Sequence, residues 1–157
     1  PSFGIGRLLY CMFEHCYYTR EGDDKRSVFR FTPLAAPIKA TVFPLMGGKP
    51  ELVAAAAAVA AELTRAGLST QVDTTGATIG KRYARTDELG VPFAVTIDYA
   101  TLADATVTLR ERDSMAQVRV PRAELPGVLR RLADMELEWA DCVERFPSQA
   151  APAEDGA

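Results

Sequence analysis

One histidine, one tryptophan and three cysteines are spread over 157 residues. Each scarcity removes a class of protein. A Ser-His-Asp or Cys-His set would have to use His15, and no G-x-S-x-G run frames a serine, so hydrolase chemistry of that kind is excluded. Three cysteines cannot make a disulfide framework and point to a reducing compartment. Cys11, His15 and Cys16 offer three candidate ligands at most, where a structural metal site wants four, so no metal is expected. No apolar run approaches the ~20 residues that cross a bilayer, and no membrane is expected among the partners. A phosphate loop is missing too. Gly76 and Gly80-Lys81 stand one residue too close, and Arg82 fills the place where Ser or Thr would hold Mg²⁺. Asp87, Glu88, Asp98, Glu111 and Asp113 are not spaced as an acid/base pair and read as ion-pair partners of the neighbouring arginines.

What remains is globular text. Hydrophobic residues make up 48% and charged residues 25%, which excludes disorder for the chain as a whole. The length fits one domain. A chain that opens on Pro1 instead of Met, straight into glycine-rich text, is expected to be cut from a longer one. The net charge of −3 argues against a nonspecific nucleic-acid binder. It is unevenly spread. Residues 76–131 hold 9 basic and 7 acidic groups, whereas residues 132–157 hold 1 basic and 7 acidic groups. The middle third can therefore present a basic surface while the end of the chain is acidic.

Periodicity supplies the elements. Residues 1–5 read as a strand end and turn. Leu8, Leu9, Met12 and Phe13 then share the face of a buried helix. Polar residues 18–30 read as a loop. Ile38–Leu45, Leu68–Asp73 and Val91–Ile97 read as strands, the last apolar throughout and so central. Between them, Leu52, Ala56, Val59, Leu63 and Ala66 form one helical stripe, and Thr78–Leu89 forms a second helix with Ile79, Tyr83, Thr86 and Leu89 inward. Thr106–Arg112 and Met115–Val120 form a hairpin. Its Val107, Leu109, Val118 and Val120 face a core, and its Thr106, Thr108, Arg110, Gln117 and Arg119 face the other way. Helices over Glu124–Met135 and Trp139–Phe146 follow. The order predicts an α/β fold with a mixed five-stranded sheet flanked by helices. The polar face of the hairpin carries residue types that read bases, with Tyr99 just past a strand end to stack one. A plain solvated sheet face is the equal alternative.

Three stretches carry a resemblance. Pro1-Ser2-Phe3-Gly4-Ile5-Gly6-Arg7 resembles motif 3 of a class II aminoacyl-tRNA synthetase. Gly80–Phe93 resembles the central helix and strand of the class IIa anticodon-binding domain. Thr108–Met115, followed by Gln117, resembles that domain's terminal hairpin. With Phe13-Glu14-His15 and Arg20-Glu21-Gly22-Asp23 between them, the set is similar to the homodimeric glycyl-tRNA synthetase family over residues 1–146.

The resemblance implies residues 1–17 as the last helix of a truncated catalytic domain, 18–32 as a linker, 33–146 as the anticodon-binding domain and 147–157 as a disordered tail. It implies a glycine–tRNA ligase that uses ATP with Mg²⁺ and works through a glycyl-adenylate. It further implies tRNA(Gly) and glycine as partners, a homodimer and a cytoplasmic setting. Arg7 matches the arginine that binds ATP phosphate, and Ser2 is the candidate glycine contact. Lys81, Thr96, Tyr99 and Arg112 match the positions that read the anticodon: Tyr99 by stacking, Thr96 on a base, Lys81 and Arg112 on phosphate or base edges. The family's glutamate before Pro1 and the regions of motifs 1 and 2 are absent from the sequence, so this chain is not expected to aminoacylate by itself. The alternative is a non-catalytic nucleic-acid-binding module with a synthetase-like anticodon-binding domain, which has no need of Arg7 or Ser2.

Overall fold

The computed structural model describes residues 1–23 and 26–149. A helix, α1 (Ile5–Cys16), leads into a short hairpin of β1 (Tyr17–Thr19) and β2 (Ser27–Phe29). Then follow β3 (Ala40–Pro44), α2 (Pro50–Arg65), β4 (Thr70–Val72), α3 (Ile79–Glu88), β5 (Phe93–Ile97), α4 (Tyr99–Asp104), β6 (Thr106–Glu111), β7 (Gln117–Pro121), α5 (Leu125–Ala133) and α6 (Trp139–Arg145).

The second sheet is the mixed five-stranded one expected, in the order β4-β3-β5-β6-β7. β3 pairs in parallel with β4 and β5, and the β5-β6 and β6-β7 pairs are antiparallel. Parallel neighbours need crossover helices, which α2 and α3 supply. The register places Val42, Val95, Leu109 and Val118 in one row across one face. The stripe of α2 (Leu52, Ala56, Val59, Leu63) and the inner side of α5 (Leu125, Val128, Leu129, Leu132) bury that face, with Cys142 and Phe146 closing one end. The alanines of α2 let its backbone come close to the strands, where wall-to-wall leucine would hold it off.

The opposite face carries Thr41, Ala94, Arg110 and Gln117 in one row and Phe43, Thr96, Thr108 and Arg119 in the next. It is neither solvated nor open to a base. Thr96, Thr108, Arg110 and Gln117 are buried, and α3 lies over Thr96 and Arg110. Arg110 reaches Asp87 of α3 through two bonds, of 2.9 and 3.1 Å, and lies over the Tyr83 ring at 4.6 Å. Arg20, just past β1, donates to the same carboxylate at 2.8 Å, and Arg26 stands 4.0 Å from it.

Residues 18–32, expected as a linker, therefore contain an antiparallel hairpin that packs on α3. Its strands are three residues each, too short for an alternation signal to rise above loop composition. Gly90 lets the following segment close in. Its φ is +75°, and a Cβ there would lie 2.3 Å from the Phe31 ring, so no other residue fits.

Two further expectations change. Residues 1–4 form no strand, and none of the residues of α1 is buried. The apolar pattern of α1 is real, but burial needs a facing surface. Within this chain α1 finds one chiefly near its C-terminal end, where Phe13 meets Phe29 and Phe31 at ring separations of 5.5 and 5.8 Å. Residues 147–149, expected to belong to a disordered tail, are ordered against the sheet. Residues 147–149 run beside β7, where Arg119 N–H donates to the Pro147 carbonyl (2.8 Å) and Gln149 N–H to that of Gln117 (2.9 Å). Residues 150–157 lie outside the described residues.

Candidate nucleic-acid interface

The chain passes from β3 to β4 on one side and then returns across β3 to β5 on the other. That reversal makes the carboxyl ends of β3 and β5 a topological switch point, the kind of place where open α/β sheets bind ligands. Three segments border it: residues 45–49 after β3, residues 73–78 after β4, and the start of α4 after β5.

Their backbones are pinned from below. Leu45 N–H donates to the Ile97 carbonyl at 2.7 Å, extending the β3–β5 pairing by one residue. The Arg82 guanidinium, 2% exposed, donates to the carbonyls of Pro44 (2.7 Å), Leu45 (2.9 Å) and Asp73 (3.4 Å). One side chain thus ties two loops together. Burial pushes its pKa down from the usual arginine value, with the Asp73 charge pulling the other way. The loops touch directly as well, since a Cβ on Gly47 would stand 2.8 Å from the Thr74 carbonyl oxygen. Burial pushes the Asp73 carboxyl up, but the Thr75 hydroxyl and N–H, then Arg85 and Arg82, outweigh it and hold it below the usual range.

Tyr99 is placed by a second device. Asp98 caps α4 by accepting from Thr101 N–H at 2.9 Å, and the Thr101 hydroxyl accepts from Asp98 N–H at 3.1 Å. Arg119 from β7 grips the same carboxylate at 2.6 and 2.9 Å while donating to Thr106 and Thr108. Burial raises the Asp98 pKa, but the bonds from Arg119 and Thr101 outweigh it and the net shift is downward. The first residue of α4 is therefore fixed in direction. Its ring, Tyr99, is 48% exposed, with the hydroxyl 3.8 Å from the Met46 sulfur.

The expected site residues divide. Tyr99 stands exposed at the start of α4, and Lys81 stands exposed in the first turn of α3, just after residues 73–78. Lys81 Nζ makes no ion pair among the described residues. Thr96 lies under α3, its hydroxyl bonded to the Tyr83 hydroxyl at 2.8 Å. Arg112 is elsewhere. β6 runs against β5, pairing Glu111 with Phe93, so Arg112 stands at the amino end of β5, about 13 Å of strand from the Tyr99 end. It is 2% exposed and donates to the carbonyls of Gly90 and Phe31 and to Asp113. Its donors are used within the fold, and it presents no surface to a base. Ser2 and Arg7 are exposed at and before the start of α1, on neither bordering segment.

Sequence reasoning missed Arg82, which drew notice only as the wrong residue for a phosphate loop. It lies three residues after Ile79 and four before Thr86, on the inward side of the helix, and that spacing was the available signal. It also missed α4, although Asp98-x-x-Thr101 is a helix-start signature.

The fold is that of a mixed α/β domain, with the exposed Tyr99 ring at the carboxyl edge of its five-stranded sheet. Residues 39–132 match the family model described as "Anticodon binding domain", and the chain belongs to that family. Among curated relatives, a "Glycine--tRNA ligase" of Bombyx mori is 48% identical over 148 residues, covering 94% of this chain and 20% of the relative. One of Caenorhabditis elegans is 41% identical over 155 residues, covering 98% and 21%. One of Methanothermobacter thermautotrophicus is 47% identical over 132 residues, covering 84% and 22%. The chain spans about one fifth of the length of these relatives.

Proposed function

We propose that this chain is the tRNA-reading part of a glycine–tRNA ligase, with residues 33–146 as the anticodon-binding domain and residues 1–17 as the end of the catalytic domain. The observation that carries the reading is the exposed Tyr99 ring, fixed at the carboxyl edge of the sheet, in a chain 41–48% identical to glycine–tRNA ligases. Tyr99 stacks an unpaired anticodon base, and Lys81 offsets the neighbouring phosphate. Thr96 supports the site from beneath through Tyr83. Arg112 holds the hairpin turn to the segment that follows β2.

The parent protein joins glycine to tRNA(Gly) as a cytoplasmic homodimer, with ATP and Mg²⁺ supplying the activating chemistry. Arg7 suits an ATP phosphate, being an exposed guanidinium with no ion pair among the described residues, and Ser2 suits the glycine. The Mg²⁺ ligands are assigned to the rest of the parent's catalytic domain.

The test is a titration of this chain with tRNA carrying a glycine anticodon and with the same tRNA carrying a swapped one. The expected result is tighter binding of the first, weakening with salt. Tyr99→Ala is expected to cost about 1–3 kcal/mol of that binding, the usual value of one base–ring stack. Equal affinity for both anticodons removes the assignment.

A further inference from the structure

We propose that Met46 is a second base-contacting residue, extending the Tyr99 ring into one platform for a single unpaired RNA base. The proposal rests on the anticodon reading above and adds a residue to it. Met46 is 47% exposed, close to the exposure of Tyr99, and its sulfur meets the Tyr99 hydroxyl at 3.8 Å. A thioether on the rim of a ring is polarisable, apolar and adaptable, which suits the face of a base. Leu102, three residues after Tyr99 in α4, is also 48% exposed. A lone exposed methionine would mean little. This one is held in place on both sides. Leu45 before it is bonded to Ile97 and to Arg82, and Gly47 after it packs on the Thr74 carbonyl. A flexible side chain on a pinned backbone adjusts to a base without the loop paying to become ordered.

The occupant is a base of single-stranded RNA because exposed cations on the carboxyl-edge side suit its phosphates. Lys81 is an exposed cation without an ion pair among the described residues, and Lys49, also exposed, closes the loop that holds Met46. The Tyr99 hydroxyl spends its proton on sulfur, a weak acceptor, so exchanging that contact for a base edge costs little.

Methionine oxidation provides a direct reading. Hydrogen peroxide converts exposed thioethers to sulfoxides. Met115 and Met135, 44% and 57% exposed on other parts of the chain, act as internal controls. In a complex saturated with glycine-anticodon tRNA, Met46 is expected to oxidise several-fold more slowly than in the free chain, with Met115 and Met135 unchanged. Met46→Ala is expected to weaken tRNA binding about fivefold, and Met46→Leu, which keeps the apolar bulk, to restore most of it. Unchanged oxidation of Met46 in the saturated complex overturns the proposal. So does native affinity in Met46→Ala when Tyr99→Ala binds weakly, and in that case the anticodon reading stands. If the chain does not distinguish the two anticodons and neither substitution matters, the anticodon reading falls and this proposal with it.

Discussion

The two faces of the central sheet are both buried, one by apolar packing alone and one by a mixture of apolar and charged groups. On one, Val42, Val95, Leu109 and Val118 meet the aliphatic side chains of α2 and α5. On the other, a small apolar cluster of Phe43, Ala94 and Tyr83 shares the space with Arg110 and Gln117, which lie as deep as many core residues, and with the Asp87 carboxylate and its guanidinium partners. The first face is stabilised by removing carbon from water and tolerates any arrangement that fills space. The second depends on specific partners, because an ion removed from water must find its counter-ion there. Burial alone therefore does not tell what holds a face together. The polar face also lies nearer the candidate site, since Arg119 reaches Asp98 and so Tyr99, and Thr96 reaches Tyr83.

Substitutions can test that contrast. Asp87→Ala is expected to have the largest effect, about 3–5 kcal/mol in urea unfolding, because it strands Arg110 and Arg20 without a counter-ion. The triple variant Asp87→Leu, Arg110→Met and Arg20→Met is expected to recover much of the loss, since apolar groups then replace the buried ions and neither guanidinium bonded to the lost carboxylate remains. If the triple variant is no better than Asp87→Ala, packing rather than charge pairing holds the polar face. Leu109→Ala on the apolar face is expected to cost about 2–5 kcal/mol as a cavity, with no partner substitution able to restore it except one that refills the volume.

The smallest effect is in acid. Asp98 sits on the polar side with its pKa held below the ordinary value, so its contribution is complete above about pH 4 and is lost as pH falls through the lowered value. Asp73 and Asp113 are shifted in the same direction and add to the slope. Arg119→Ala is expected to flatten the acid limb of a stability–pH curve, whereas Leu109→Ala moves the whole curve without changing its shape. A curve of unchanged slope in Arg119→Ala would show that the Asp98 pair contributes nothing to folding.

Much of the apolar face was legible beforehand. The stripe of α2 and the alternation of β6 and β7 are local patterns, and both read correctly. The polar face was legible only as polar. Alternation placed Arg110, Gln117 and Arg119 together on one side but could not say that α3 would bury Arg110 against Asp87 or that Arg119 would reach Asp98. The candidate site divided similarly. Tyr99 stands just past a strand end, and position in the chain found it, whereas Lys81 in the first turn of α3 came only from the family match. Arg112 sits in a hairpin turn, and its matched role gave no hint that it faces Gly90 and Phe31. Met46 follows a strand in an unpatterned loop, and no local signal marks it.

By itself the sequence determined which residues share a helix or strand face, and from their order the mixed α/β sheet. Those are relations between near neighbours, set by periods of 2 and 3.6 residues. Which arginines are buried, and on what, was decided by the tertiary structure. Asp87 meets Arg110 across 23 positions of chain and Arg20 across 67. No periodicity spans such distances. Whether a charge is solvated, paired or free for RNA follows from what the fold brings against it.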